Sequence, residues 1–230
     1  MNNYVVRRVI DDSGLRQIHD LLNNENIDYE HGVRTYGQKE SFKETKENYE
    51  LICSDEIKSE LDSVIFRYID ADPKFSILTA AQESGSPLFS KTFEGGFYHP
   101  HHDSPINGHF STTIFLNNPD DYGGGELRLF LDGSIKEFKL DAGYAITYRT
   151  GIPHEVKTVT SGERTVCVFW TKSKFDDPII RGYWSDLYHI WKMTKDIKPK
   201  NIEDAIDDPY FMIESLMLKM QRDFASSIAR

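Results

Sequence analysis

The spacing of apolar positions in this sequence changes period twice along the chain. From residue 75 onward they gather in short strand-like runs, at 75–82, 88–94, 97–103, 109–116, 126–131, 135–140, 144–149, 154–160 and 164–171, separated by Gly, Asn, Asp and Pro. Short runs at regular spacing with turn residues between them predict a β-sandwich or barrel. Ahead of this region, Tyr4–Ile10 reads as an edge strand, and Asp12-Ser13 caps a helix whose Leu15, Ile18, Leu21 and Leu22 recur at helical spacing. Ser54 starts a second helix with Ile57, Leu61, Val64 and Tyr68 on one stripe, and Asp72-Pro73 ends it. Such a stripe covers one face of a sheet. Between the two helices, Glu30–Glu50 is polar and contains Gly32 and Gly37, with little to anchor it in a core, which predicts a mobile loop.

Helical period returns near the C-terminal end. Asp177-Pro178 opens a helix bearing Ile180, Tyr183, Trp184, Leu187, Tyr188 and Trp191, Lys198-Pro199-Lys200 breaks the pattern, and Asp208-Pro209 caps a last helix with Phe211, Met212, Leu216, Met220 and Phe224. Methionines and aromatics at this spacing read as packing. Their apolar positions exceed one narrow stripe, so part of this surface is expected to form a homodimer face. Together the elements predict a mainly β protein with flanking helices, of the α+β class. It is expected to fold as a single domain over 1–230, with an N-terminal strand and helices in 1–74, a β core in 75–175 and C-terminal helices in 176–230.

Composition narrows the functions. The chain has 230 residues, 39% of them hydrophobic, enough for one well-buried core of β-domain size. Its 37 acidic against 27 basic residues set up a field that repels polynucleotides and anionic lipid, so neither a nucleic acid nor a membrane is an expected partner unless a local basic groove overrides it. No apolar run is long enough to span a bilayer, and no apolar h-region follows Arg7 and Arg8. Cys53 and Cys167 do not make a disulfide framework, which favours a reducing compartment. The expected setting is the cytoplasm.

The chemistry concentrates in Tyr98-His99-Pro100-His101-His102-Asp103. Residues two apart in a strand share a face, so His101 and Asp103 project together while His102 points the other way. His99 shares the face of His101, and the carboxylate at 103 selects His101. A mononuclear metal site needs one more ligand, and the next candidate downstream is His154, in Gly151-Ile152-Pro153-His154-Glu155-Val156. Two histidines and one carboxylate occupy one face of an octahedral ion and leave the other open, the arrangement of non-haem Fe(II) oxygenases. Ten residues further on, Arg164 begins a strand in which Arg164, Val166, Val168 and Trp170 share a face. A guanidinium on an apolar face needs an anion, and its planar fork suits a carboxylate gripped at both oxygens. The pattern predicts an iron site beside a pocket for a dicarboxylate. Taken singly, each residue has a plainer reading: surface histidines at 99–102, a loop histidine at 154, a cross-strand salt bridge at 164.

In order and spacing, His-x-Asp, a distant His and an Arg ten residues on resemble the Fe(II)/2-oxoglutarate oxygenases of the prolyl 4-hydroxylase group, closest to the bacterial PKHD-type hydroxylases. The likeness spans residues 87–170. It rests on Pro87-Leu88-Phe89 before Gly95-Gly96, on Tyr98-x-Pro100-His101-x-Asp103, on Phe115-Leu116-Asn117, and on Pro119-Asp120-Asp121-Tyr122 leading into Gly124-Gly125-Glu126-Leu127. Beyond these come Leu140-Asp141-Ala142-Gly143, His154-Glu155-Val156 with Val159 and Gly162, and Phe169-Trp170. A weaker match at Lys46-x-Asn48 extends it toward the start. The resemblance implies a double-stranded β-helix, the jelly-roll or cupin-like core. It also implies Fe(II) held by His101, Asp103 and His154, with 2-oxoglutarate and O2 as co-substrates, the far carboxylate of 2-oxoglutarate fixed by Arg164, and ascorbate as reductant.

The implied reaction is hydroxylation of an unactivated C–H bond with succinate and CO2 as co-products. The first substrate implied is a prolyl residue in a protein or peptide, and the alternative is a free amino acid or other small metabolite. Tyr98, Trp170 and Asn48 fall on the substrate side. Core packing is an equal reading for Trp170, as a solvated loop is for Asn48 and Lys46, and the direction of Tyr98 is left open by the chance of a bulge. The glycines 123–125 lack the strand-to-helix context of a phosphate loop and read as a turn. His109, Arg128 and Arg149 remain unassigned. Phe93 and Phe115 stand where relatives often carry tyrosines, so water or another donor must replace any hydroxyl that helps hold 2-oxoglutarate. A catalytically silent jelly-roll binding protein is opposed by the intact His101, Asp103, His154 and Arg164. A zinc hydrolase would need a general base beside the metal and no Arg164.

Overall fold

The computed structural model describes residues 4–32, 45–194 and 208–225. In chain order these form β1 (Tyr4–Arg8), α1 (Asp12–Leu22), β2 (Asp28–His31), β3 (Lys46–Glu47), β4 (Tyr49–Ile52), α2 (Asp55–Ala71), α3 (Pro73–Thr79), β5 (Ala81–Ser84), β6 (Leu88–Phe93), β7 (Phe97–His101) and β8 (Phe110–Phe115). There follow β9 (Tyr122–Gly124), β10 (Leu127–Leu131), β11 (Ser134–Phe138), β12 (Tyr144–Arg149), β13 (His154–Val156), β14 (Val159–Ser173), α4 (Pro178–Thr194) and α5 (Pro209–Phe224). The strands make two antiparallel sheets. The larger runs β1-β12-β8-β14-β6-β4-β2, with β5 and β9 attached to β14, and the smaller runs β11-β10-β13-β7-β3. This is the jelly roll with helices packed outside it.

The central strand β14 shows why the fold is layered this way. Its Cys167 and Phe169 are fully buried on the outer face, among Ile18 of α1, Leu61, Ile65 and Ile69 of α2, and Phe75 of α3. Its inner face turns Val166 toward Phe115 of β8, Ile146 of β12 and, across the gap, Leu127 and Leu129 of β10. A strand buried on both faces reads as a near-continuous apolar run, which is how 164–171 reads. A third cluster, Phe175, Trp184, Met217 and Met220, seats α4 and α5 against the end of the barrel, leaving Tyr183, Met193, Met212 and Leu218 exposed.

Several boundaries differ from the expected ones. The predicted strand 75–82 is mostly the helix α3, because Asp72 caps it through Lys74 N and Phe75 N with Pro73 at its first position; only Ala81–Ser84 pairs as a strand. Asp11, rather than Asp12-Ser13, caps α1, accepting from Gly14 N at 2.8 Å. The buried stripe of α2 is Leu61, Ile65 and Ile69, with Ile57, Val64 and Tyr68 flanking it. The predicted strand 154–160 breaks into β13 and the start of β14, which continues through Gly162 (φ +72°). Tyr122–Gly124 is a short strand on β14 rather than a turn. The ends of the expected loop 30–50 are strands as well: Glu30 pairs with Glu50, and Lys46 with Tyr98, so those polar residues gain backbone partners at the sheet edges. Residues 33–44 and the break at 198–200 lie outside the described residues. No helix among the described residues is long and apolar enough to cross a membrane.

Candidate metal centre and anion pocket

The small sheet carries two histidines face to face. His154 opens β13 directly opposite His101, the last residue of β7, and their ring centroids are 4.2 Å apart. Beyond His101 the chain leaves the sheet and folds Asp103 back, so that one ligand atom each from His101, Asp103 and His154 lies within 4.8 Å of the others. His154 Nε2 stands 3.7 Å from Asp103 Oδ2. Both rings are oriented by local carbonyls, with His101 Nδ1 2.9 Å from His99 O and His154 Nδ1 2.9 Å from Ile152 O. A ring that donates from Nδ1 presents a bare Nε2, the form that binds a metal. Burial lowers the pKa of His101 to about 4, with His154 adding to the effect, so its neutral form prevails at pH 7. The Asp103 carboxylate is steadied from the other sheet by Ser111, whose Oγ donates to Oδ2 at 2.6 Å.

Tyr98 and His101 settle an ambiguity of strand parity. The pairing of β13 with β7 sets His154 against His101 but Val156 against Tyr98, two steps on one strand for three on the other. Such a bulge turns positions of opposite parity toward the same side. The Tyr98 ring stacks on His101 at 3.5 Å and both line the same cavity. His99 and His102 are exposed; neither is in the three-residue cluster, although His102 edges the cavity.

That cavity, about 390 Å³, lies between the two sheets. The inner face of β14 lines it with Arg164, Val166, Val168 and Trp170, the set predicted from alternation. Arg164 is 3% exposed, and its buried Nε has no hydrogen-bond partner; among the described residues it makes no ion pair. Its guanidinium lies 5.4 Å over the ring of Phe115. Burial lowers its pKa, with Tyr122 acting against that. A buried guanidinium with an unpaired Nε and no ion pair, sharing a cavity with the three-residue cluster, is the donor set a chelating dicarboxylate requires, so the residues present fit both ferrous iron and 2-oxoglutarate.

Asn48 and Lys46 also line the cavity. Lys46 is 3% exposed and pairs with Glu50 at 2.8 Å, so it is a wall residue and not part of a solvated loop. Asn48 donates from Nδ2 to Ser90 Oγ at 2.7 Å. Trp170 lines the cavity and keeps a buried Nε1 without a partner. Phe93, 42% exposed, stands outside the cavity, whereas Phe115 is fully buried beneath Arg164. His109 accepts from Ser173 N, and Arg128 pairs with Glu137 and Glu155; neither lines the cavity. Sequence reasoning missed Ser111, Thr113 and Tyr148, which also line or support the site. The available signal was Ser111, Thr113 and Phe115 alternating on one face of β8, two hydroxyls where an ordinary core would be apolar.

Fold and site are those of a mononuclear-iron oxygenase. The sequence pattern of the 2OG-Fe(II) oxygenase superfamily matches residues 88–172. A PKHD-type hydroxylase of Prochlorococcus marinus (strain NATL2A) is 32% identical over 174 residues, 74% of this chain and 78% of that protein. One from Acaryochloris marina (strain MBIC 11017) is 37% identical over 139 residues, 59% of this chain and 62% of that protein. Among solved structures, a Pseudomonas putida prolyl-4-hydroxylase shares the fold at a TM-score of 0.54 and 18% identity, over 75% of this chain and 94% of that one. A prolyl hydroxylase from Trichoplax adhaerens, in complex with a hypoxia-inducible-factor peptide fragment, does so at 0.55 and 16%, over 75% and 84%. The chain belongs to the 2OG-Fe(II) oxygenase superfamily, among the PKHD-type hydroxylases.

Proposed function

We propose that this protein hydroxylates an unactivated C–H bond of a prolyl residue in a protein or peptide, using O2 and 2-oxoglutarate and releasing succinate and CO2. One observation carries the reading: the His101–Asp103–His154 cluster shares a cavity with the buried guanidinium of Arg164, whose Nε has no acceptor. Asp103 and the Nε2 atoms of His101 and His154 would hold the iron, and Arg164 would receive the distal carboxylate of 2-oxoglutarate. When bound, the iron supplies the oxidising chemistry. The chain's own work is placement. Ser111 fixes the Asp103 carboxylate, the carbonyls of His99 and Ile152 fix the imidazole tautomers, and Val166, Val168 and Leu127 keep water from the space between.

The prolyl substrate is supported by the prolyl-hydroxylase fold relatives, one of them holding a peptide. A cavity of about 390 Å³ suits a free amino acid or other metabolite equally in size, which is the second reading. Ascorbate as reductant and a homodimer through the exposed apolar positions of α4 and α5 belong to the same proposal; sedimentation equilibrium checks the dimer. The main test is succinate release from 2-oxoglutarate by the Fe(II)-loaded protein, coupled to mass spectrometry of host proteins gaining one oxygen atom. Asp103→Ala should abolish both signals. Equal turnover in the variant would remove the metal-ligand assignment, and oxygen gain confined to metabolites would favour the second reading.

A further inference from the structure

β9 pairs with β14 so that Tyr122 lies opposite Gly162, which makes Arg164 its diagonal neighbour, within reach of a long side chain. Gly125 (φ +68°) packs against both: a Cβ there would stand 2.9 Å from the Tyr122 ring and 3.1 Å from Arg164 Cδ. The far side of the ring is closed by Lys139, whose Nζ lies 4.3 Å from the ring centroid and donates to Tyr122 O at 2.6 Å. Tyr122 is 4% exposed, and its buried hydroxyl faces the Arg164 guanidinium with no acceptor for its own proton.

Two buried donors therefore sit side by side, Tyr122 Oη and Arg164 Nε, and neither meets an acceptor. Leaving such groups unpaired is costly, and one carboxylate can relieve both. For Tyr148, the other hydroxyl near Arg164, the side-chain partner is Thr113, whereas for Tyr122 it is Arg164 itself. We propose that Tyr122 is a co-substrate-binding residue, its hydroxyl donating to the same distal carboxylate that Arg164 holds. The inference rests on the reading of Arg164 given under the proposed function.

The test is calorimetric titration of the full chain loaded with Mn(II). The ligands are 2-oxoglutarate and 2-oxopentanoate, which has the same carbon chain but no distal carboxylate. Tyr122→Phe should weaken 2-oxoglutarate by about tenfold to a hundredfold, the range for a hydrogen bond to a charged group, and leave 2-oxopentanoate and Mn(II) binding unchanged. Unchanged 2-oxoglutarate affinity, or an equal loss for both ligands, overturns the proposal. Arg164→Met in the same series separates the two readings. If that variant loses 2-oxoglutarate while Tyr122→Phe does not, only Tyr122 is wrongly assigned; if neither loses it, the anion pocket itself is misplaced.

Discussion

Ser111→Ala should cost the protein its metal long before it costs the fold. Ser111 is fully buried on β8 and donates to Asp103 Oδ2 at 2.6 Å, with Thr150 Oγ1 a longer 3.2 Å away. A hydrogen bond to a charged group contributes about 1.5–3 kcal/mol, and removing its donor leaves a carboxylate oxygen shielded from water with nothing to replace the bond. That loss falls on the orientation of the carboxylate, because Asp103 lies beyond the end of β7 and has no ladder bonds of its own to hold it. Outer partners of this kind are worth about 10–100-fold in metal affinity. Anaerobic titration of the metal-free protein with Fe(II), or with Mn(II) followed by electron paramagnetic resonance, measures the loss directly. Thermal unfolding of the metal-free variant provides the control. An unchanged metal dissociation constant in a variant that unfolds normally would show that Asp103 is held by something other than Ser111, and the reasoning about its placement would fail.

Two further outcomes follow from burial. The pKa of His101 is about 4 in the folded chain against an ordinary 6.5, so between those pH values the unfolded chain binds more protons and acid favours it. The metal-free protein should lose about 1–3 kcal/mol of stability as pH falls from 6.5 to about 4, and His101→Gln should flatten that dependence. Parallel pH profiles of the unfolding midpoint in the two proteins would refute it. Phe169→Ala empties a fully buried site packed against Phe66 at 5.6 Å and Phe75 at 6.2 Å, and should lower stability in urea by about 3–5 kcal/mol. A loss under about 1 kcal/mol would mean that the helices do not depend on this face of β14.

That His101, Asp103, His154 and Arg164 come together was legible because each is a rare residue type in a strand pattern, and because His-x-Asp, His and Arg keep their spacing. What the pattern could not show was how they meet. Asp103 was assigned by strand parity to the face of His101, yet β7 ends at His101 and the carboxylate arrives by a turn, held by a serine from the opposite sheet. Tyr98 has the wrong parity for His101 and still stacks on it, because the bulge against β13 adds a residue that no periodicity reveals. Phe75, apolar and followed by Ile77, read as strand until the Asp72-Pro73 cap is counted as a helix start rather than a helix stop. For Lys46 a solvated loop was as open a reading as the active-site mouth, because charge is normally exposed; its pairing with Glu50 and the Tyr98 ring 5.1 Å from its ammonium accompany its burial in the cavity wall.

The division of labour between the sheets then explains the order of the motif. The small sheet supplies the imidazoles through neighbouring strands, so the distance between His101 and His154 is a matter of antiparallel register. Arg164 belongs to the other sheet, and its separation from the imidazoles is set by how far the sheets stand apart, which the side chains of Phe115, Val166, Leu127 and Leu129 determine by filling the space between. Backbone hydrogen bonds fix the first distance and core packing fixes the second. Changes that shrink this inter-sheet core at a position whose strand partners are apolar, such as Leu127→Ala opposite Phe138 and Val156, should therefore disturb the fit of 2-oxoglutarate between metal and guanidinium while leaving metal affinity itself intact. Loss of metal affinity on that substitution would show that the imidazole pair also leans on the core.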